Sequence, residues 1–175
     1  MIEQMRQEYS KMYDFALVVG GLRTKGDMGW DEATKAKLRL TWLQVANTTG
    51  QHFTDNLFNL DNFVYDTYPA CKAVVTVREL WGEDAAFDYL TKIQEAFYVD
   101  GKDTTDTKIL TSLIDEDRQE AFQTFYQSQR ADVLMHHDFA KARSMGANVF
   151  PSVVKIDSDG HMVCKKGYLG IEALL

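Results

Sequence analysis

The sequence predicts an α/β fold in which a large all-helical insertion separates two short stretches of β-structure. Phe15–Val19 is a continuous apolar run, which is typical of a strand buried on both faces of a parallel sheet. Val149–Val154 is a second apolar run, interrupted by a proline, and it leads into a hairpin pattern. Between the two runs, residues 30–143 follow helical spacing almost throughout.

Composition and charge exclude several classes of protein. Hydrophobic residues make up 45% of the 175 residues, which is enough for a sizeable core. The formal net charge is -7 and Lys and Arg are not clustered, so a nucleic-acid partner is not expected. No stretch is long and apolar enough to span a membrane, and residues 1–6 lack the apolar region of a signal peptide. These features predict a cytoplasmic protein without a membrane partner.

The N-terminal part predicts a helix followed by the apolar strand. Met5, Tyr9 and Met12 recur at helical spacing within residues 2–13. The pair Gly20-Gly21 ends the apolar run, and we expect it to form a turn that needs a positive φ. It is not a phosphate-binding loop, because the further glycines of such loops are absent.

Six helices are predicted in the insertion and directly after it. Each shows apolar residues at spacings of three and four, and most begin at Asp or Pro, which are favoured at helix starts. Gly50 and Gly146 are expected to end the first and the last of them. The helices are expected to begin at Asp31, Pro69, Asp84, Asp106, Asp115 and Ala131.

The C-terminal part predicts a hairpin that a proline introduces. Pro151 is one of only two prolines in the chain. Proline donates no ladder hydrogen bond, and the bond before it is where a cis peptide is accessible. Asp159-Gly160 lies between two short β-type segments, as in a tight hairpin. Gly167-Tyr168 then precedes a short closing helix.

No linker-like stretch flanks the helical block, so we expect one domain with an insertion rather than two domains. Residues 1–29 and 130–175 are predicted to form the α/β domain, and residues 30–129 the helical insertion.

Several segments along the whole chain together resemble one known family. They are Val18–Arg23, Trp42 with Thr49–Phe53, Tyr65–Val75 and Gln94–Tyr98. In this order they are similar to the DsbA family of thioredoxin-fold proteins, and most similar to its cytosolic FrnE-like, protein-disulfide-isomerase-like members. His52 and Tyr68 depart from the family pattern, which more often has a proline and an acidic residue there. The resemblance implies a thioredoxin-like fold and a thiol–disulfide oxidoreductase or isomerase.

One departure from the family is large. Members begin with a strand and a Cys-x-x-Cys motif at the start of a helix, whereas this sequence begins within that helix. The N-terminal strand is therefore missing, and it would lie between Phe15–Val19 and Val153–Asp157. We expect about 25 further residues to precede Met1 in the natural chain, from the typical lengths of one strand and a motif. Two alternatives stay open: the flanking strands pair directly, or another copy of the chain pairs with them in a homo-oligomer.

The chemistry of the family requires a thiolate at a helix N-terminus and a second cysteine that resolves the mixed disulfide. The chain has two cysteines, Cys71 and Cys164, too far apart for this motif. No catalytic residue is therefore assigned, and the chain is expected to be inactive in dithiol exchange. Cys71 follows Pro69 in a first helical turn, so it is the candidate reactive thiol. A buried packing role is the favoured alternative for it, and Cys164 is expected to be structural.

The resemblance also implies which residues bind substrate. Val149, Phe150 and Pro151 would form the substrate-binding loop, with a cis peptide between Phe150 and Pro151. The implied partners are protein or peptide thiols and disulfides, and also glutathione. No cofactor is expected.

Two further candidates for binding have simpler explanations. His136-His137 does not predict a metal site, because adjacent helical residues point about 100° apart. Arg23 is a candidate for an anionic substrate, with an ordinary surface arginine as the alternative.

Three functions follow from the sequence. The first is a thiol–disulfide oxidoreductase or isomerase. The second is a non-catalytic, chaperone-like protein that binds peptides beside Pro151. The third is a glutathione-dependent transferase or isomerase, since related folds use glutathione without a cysteine pair.

Overall fold

Seven α-helices, two 3-10 helices and one hairpin make up the computed structural model, which describes residues 2–24, 26 and 29–174. The α-helices are α1 (Ile2–Tyr9), α2 (Glu32–Thr49), α3 (Tyr68–Tyr98), α4 (Thr107–Ser112), α5 (Gln119–Tyr126), α6 (Gln129–Ser144) and α7 (Ile171–Leu174). The 3-10 helices are Asn56–Asn59 and Glu116–Arg118, and the strands are β1 (Ser152–Ile156) and β2 (Met162–Lys166). The order agrees with the predicted arrangement, but the boundary of the insertion at residues 30–129 stays a prediction.

Caps define the ends of α2 and the start of α6. The Asp31 carboxylate accepts a hydrogen bond from the backbone N–H of Thr34 at 2.8 Å, as its position predicted. Gly50 ends α2 with a φ of 72°, a conformation that favours glycine. Helix α6 begins earlier than predicted, because the hydroxyl of Ser128 accepts the N–H of Ala131 and caps the helix.

Helix α3 contains both helices that were predicted from Pro69 and Asp84. Its 31 residues are broken at Gly82, where φ is 91° and ψ is 178°, so the boundary lies two residues before the predicted cap. Val74 and Leu90 line the same cavity, although an unbroken helix would hold residues sixteen apart about 24 Å from each other. The second half of α3 therefore folds back along the first half, and only glycine adopts such a φ without strain.

Two apolar clusters hold the helices together. The first joins α3 to α5 and α6 and contains the fully buried side chains of Phe122 and Met135, with Val19 from the N-terminal segment. The second is aromatic and centred on Trp42, whose ring centroid lies 4.8–6.0 Å from those of four other rings. These four rings belong to Phe53, Phe58, Phe97 and Tyr98. Aromatic burial of this extent fixes α2 against the C-terminal end of α3.

The apolar run Phe15–Val19 does not form the predicted strand. The sheet in the described part of the chain contains only β1 and β2, which pair antiparallel from Ser152 with Lys166 to Ile156 with Met162. The prediction was wrong because a strand exists only where another strand faces it, and this run instead faces side chains of α3 and α6. Direct pairing of the run with the hairpin, one of the open alternatives, is thereby excluded.

A buried ion pair holds this N-terminal segment in place. The guanidinium of Arg78 donates two hydrogen bonds to the carboxylate of Asp138, at 2.8 and 2.9 Å, and only 5% of the Asp138 side chain is exposed. Asp138 also accepts the N–H of Val19 at 3.1 Å, and Arg78 donates to the carbonyl of Leu17. The carboxylate of Glu83 accepts the N–H of Leu17 at 2.9 Å. Side chains thus supply the hydrogen bonds that a neighbouring strand would supply in a sheet.

Replacing Asp138 by alanine is expected to lower the free energy of unfolding by roughly 3 kcal/mol, because Arg78 would keep a mostly buried charge without its bidentate partner, and Glu83 lies 4.0 Å from its Nε. This is the lower end of the range for such pairs, since 19% of the Arg78 side chain remains exposed. Urea unfolding followed by far-UV circular dichroism measures the change. Glu79→Ala is the matched control, because its ion pair with Arg130 is exposed and contributes at most about 1 kcal/mol. Equal losses in the two variants would contradict the role assigned to the buried pair.

Candidate functional site

The loop predicted to bind substrate lies directly before β1. The peptide bond between Phe150 and Pro151 is cis, and the carbonyl of Pro151 accepts the N–H of Gly167 at 2.8 Å. Pro151 is exposed and Val149 is 50% exposed, whereas Phe150 is half-buried. The loop therefore presents two of its three residues to solvent while the third attaches it to the rest of the molecule.

The pair Gly20-Gly21 lies between two aromatic rings. A methyl group on Gly20 would overlap the ring of Phe150. Gly21 has the predicted positive φ, 65°, and a methyl group there would lie 2.7 Å from Cζ of Phe139. The glycines are thus required by close packing on both sides as well as by the turn. We call the surface formed by the loop 149–151 and this glycine pair the groove beside Pro151, and these contacts fix the loop relative to the glycines.

The thiol of Cys71 is directed towards the glycine pair. Burial raises its pKa from the ordinary 9.0 to about 11, although a hydrogen bond from the backbone of Gly21 acts in the opposite direction. The nearby carboxylate of Asp138 raises the pKa further. These surroundings favour the packing role for Cys71, and its reactivity stays a prediction. Cys164 lies in β2, and both thiols are free.

A row of polar side chains continues from Phe139 along α6 and α3. The ring of His136 packs edge-on against the rings of Phe139 and Tyr68, each 5.8 Å away between centroids. The hydroxyl of Tyr68 donates to the carboxylate of Asp132 at 3.1 Å, and Lys72 forms an ion pair with the same carboxylate at 2.7 Å. We call Tyr68, Lys72, Asp132 and His136 the polar rim. It supplies a cation, an anion and an imidazole ring close to the glycine pair.

The polar rim was not predicted as a unit. Tyr68 and Lys72 are four residues apart on α3, and Asp132 and His136 are four residues apart on α6. Each pair therefore shares one helix face, and this spacing was the available signal. The sequence could not show that the two faces meet, because that depends on how α3 packs against α6.

One cluster outside the groove has the residue types of a metal site. Ligand atoms of Asp157, Asp159 and His161 lie within 4.8 Å of one another in the exposed hairpin turn. The Asp157 carboxylate already accepts the backbone N–H groups of Asp159 and His161, both at 2.9 Å. The turn geometry alone explains this cluster.

Gly20→Ala is expected to displace the Phe150 ring and to cost about 1–3 kcal/mol of stability, as overpacking does in well-packed sites. Thermal unfolding gives the stability, and aromatic NMR signals report the position of Phe150. Gly170→Ala is the control, because a methyl group there would meet no atom within 4 Å. The contact is disproved if Gly20→Ala leaves both the melting temperature and the Phe150 signals unchanged.

Cys71 is expected to react slowly with iodoacetamide at neutral pH. A pKa of about 11 in place of 9.0 keeps the thiolate fraction about a hundredfold below that of an ordinary thiol. Mass spectrometry of Cys164→Ser and Cys71→Ser variants follows each thiol separately, and the rate at Cys71 should rise as the pH approaches 11. A Cys71 that reacts as fast as Cys164 at pH 7.5 would restore the reactive-thiol prediction.

Comparison with known proteins identifies the family. The chain matches the family described as Thioredoxin over residues 1–167. No match was found among curated proteins. A crystal structure of a protein from Nitrosomonas europaea, proposed to be a protein disulfide isomerase, superposes with a TM-score of 0.85. It is 32% identical to this chain, and the match covers 99% of this chain and 83% of that one.

Two further structures share the fold. Cytosolic disulfide reductase DsbM from Pseudomonas aeruginosa is 24% identical, with a TM-score of 0.74 and coverage of 94% of this chain and 80% of its own. The same protein with GSH is 22% identical, with a TM-score of 0.72 and the same coverage. The predicted α/β, thioredoxin-like fold with a helical insertion is confirmed. The chain therefore belongs to the thioredoxin family, a family of thiol–disulfide oxidoreductases.

Proposed function

We propose that the groove beside Pro151 binds the thiols and disulfides of proteins or peptides, and glutathione, as part of thiol–disulfide chemistry. The supporting observation is the exposed loop Val149–Pro151, anchored by Phe150 on Gly20, at the place where the family resemblance implies substrate binding. The similar structures come from a protein proposed to be a disulfide isomerase and from a disulfide reductase that was also solved with GSH. The exposed side chains of Val149 and Pro151 offer contacts to a peptide that lies along the loop.

Charges next to the groove suit glutathione or an acidic peptide. Glutathione carries two carboxylates and one ammonium group at neutral pH. Lys72 offers a cation and Asp132 an anion in the polar rim, and Tyr68 adds a hydroxyl. A charge-assisted hydrogen bond from Lys72 to a ligand carboxylate would compete with its present bond to Asp132. The rim thus orients a charged ligand without supplying the reactive sulfur.

The exchange step itself requires a thiolate that attacks one sulfur of a disulfide, so that the S–S bond breaks and the other sulfur leaves as a thiolate. Cys71 and Cys164 form no Cys-x-x-Cys motif, and burial raises the pKa of Cys71 to about 11. We propose that the 175-residue polypeptide binds these substrates without catalysing dithiol exchange.

The proposed location is the cytoplasm. The disulfide reductase of similar fold is described as cytosolic. No helix in the described ranges is both long and apolar enough to cross a bilayer.

The polypeptide should not accelerate the reduction of insulin by dithiothreitol, because it lacks a paired nucleophile and resolving thiol. It should nevertheless bind an extended peptide disulfide, measured by fluorescence anisotropy, and Cys71→Ser and Cys164→Ser should leave that binding unchanged. Turnover above the uncatalysed rate would refute the first expectation, and loss of binding in either cysteine variant would refute the second.

Val149→Asp should weaken peptide binding roughly tenfold, because it removes one apolar contact from the loop and adds a charge. The control is Leu40→Asp, an exposed apolar residue on α2. Equal affinities in these two variants would show that the peptide binds away from the loop.

Glutathione-dependent transfer or isomerisation is the second candidate function. It is favoured by the structure of the similar reductase with GSH. Retention on a glutathione matrix, together with loss of retention in Lys72→Met, would support this candidate. Peptide binding without glutathione retention would instead favour the non-catalytic, chaperone-like function.

A further inference from the structure

Helix α2 carries apolar residues on two opposite sides. The side towards the aromatic cluster contributes Lys35, Leu38 and Trp42, which are the buried residues of this helix. On the other side, 69% of Leu40 and 58% of Leu43 are exposed. A helix that only covers a core has polar residues on its outer side, so the fold of one chain does not explain this second apolar side.

The exposed side has the residue spacing of a coiled-coil seam. Its members follow one another after three, four, three and four residues, the repeat that keeps one stripe of a helix against a partner helix. All of them are exposed. They are Ala33, Ala36, Leu40, Leu43 and Asn47, and we call them the α2 seam. Ala33, Leu40 and Asn47 take the a positions of the heptad, and Ala36 and Leu43 take the d positions.

A partner helix can reach the α2 seam without disturbing the core. At 3.6 residues per turn, Leu38 and Trp42 lie roughly 160° around the helix from the middle of the seam. Lys37 and Gln44, which flank the seam on one side, are exposed as well. Pairing at the seam therefore leaves the packing of Trp42 in the aromatic cluster unchanged.

The charges that flank the seam favour a second copy of this chain in parallel orientation. In parallel two-stranded pairing, Glu32 lies opposite Lys37 of the second copy, and the two-fold axis repeats this pair. The Glu32 side chain is 82% exposed, although it also pairs with Lys35 at 3.2 Å. Lys37 has no ion-pair partner among the described residues. The next flanking contact joins Arg39 to Gln44, so no like charges lie opposite each other.

Antiparallel pairing of the same seam has no such complementarity. With Leu40 opposite Leu43, it would place Lys37 near Gln44 and would form no ion pair between the copies. Asn47 is a second reason for the parallel arrangement, because there it lies opposite itself at an a position. Its amide both donates and accepts hydrogen bonds, and one asparagine at such a position specifies register and a two-stranded pair.

We propose that a second copy of this chain docks on the α2 seam as a parallel, two-stranded helix pair. The seam spans only two heptads, which is short for a coiled coil of isolated peptides. Helix α2 is already folded on the aromatic cluster, however, so pairing requires no new helix to form. The small contact area predicts a weak dimer, with a Kd on the order of 10–100 µM. The proposal is independent of the proposed function, because it uses neither the Pro151 loop nor a thiol.

Sedimentation equilibrium between about 1 µM and 1 mM covers the expected Kd. The chain should be monomeric at the low end of this range and mostly dimeric at the high end. Leu43→Glu should weaken dimerisation at least tenfold, because it removes an apolar contact and places two carboxylates opposite each other. Val133→Glu is the matched control, since Val133 lies on α6 and is 59% exposed, and it should leave dimerisation unchanged.

Far-UV circular dichroism verifies that Leu43→Glu is folded. If it is not, Leu43→Ala adds no charge and should still weaken dimerisation severalfold. A wild-type chain that stays monomeric over the whole range overturns the proposal. So does a folded variant at Leu43 that dimerises as strongly as the wild-type chain.

Reversal of the flanking charges tests the orientation and the identity of the partner. Lys37→Glu and Glu32→Lys each place like charges opposite each other in their own dimers, so each alone should dimerise roughly tenfold more weakly. Mixed in equal amounts, the two variants place opposite charges at both contacts and should form a heterodimer about as stable as the wild-type dimer. Lys141→Glu reverses an exposed charge on α6 and should not restore dimerisation when mixed with Glu32→Lys. A mixture of Lys37→Glu and Glu32→Lys that is no more dimeric than its components contradicts the parallel pairing.

Discussion

The ion pair between Arg78 and Asp138 is the interaction on which the position of the N-terminal segment, and with it the groove beside Pro151, depends. It fixes Leu17 and Val19 to α3 and α6 by hydrogen bonds to their backbone. Val19 packs in the first apolar cluster, and Gly20, the next residue, packs against Phe150 of the groove. A surface ion pair of the same geometry would be too weak to hold the N-terminal segment in place, because solvent screens it. Burial makes the pair costly to break, and the position of the N-terminal segment follows from that cost.

Small residues set the distance between the elements that form the groove. The ring of Phe150 packs directly against the backbone of Gly20, and the ring of Phe139 packs directly against that of Gly21. Phe139 also belongs to the main apolar cluster and contacts His136 of the polar rim. The loop that carries Pro151 is thus coupled to the helical insertion through side-chain packing. In a core that is packed at crystal-like density, such contacts transmit displacement rather than absorb it.

Local sequence signals correctly predicted those features, such as helix ends, that depend on neighbouring residues. Asp31 and Gly50 predicted both ends of α2, because capping depends on a few neighbouring atoms. The prediction of a strand at Phe15–Val19 was wrong. A strand forms backbone hydrogen bonds with a partner distant in sequence, and no local pattern reveals that partner. The same limit applies to the polar rim, where two correctly predicted helices meet in a way that their sequences do not show. Family resemblance, rather than periodicity, predicted the thioredoxin-like fold and the cis peptide before Pro151.

Cys71 and Arg23 show why burial cannot be inferred from position in the sequence. The first helical turn suggested a lowered pKa for Cys71, but the helix dipole contributes at most about 1–2 kcal/mol. Desolvation that raises a pKa from 9.0 to about 11 corresponds to roughly 3 kcal/mol, so burial dominates. Arg23 likewise resembles a surface arginine in sequence, yet its Nε is buried. A buried thiol can avoid the cost of a buried charge by staying protonated. A guanidinium cannot, because it stays charged at every physiological pH. Burial therefore keeps Cys71 in its neutral form, whereas Arg23 keeps its charge although its Nε is buried without a partner among the described residues.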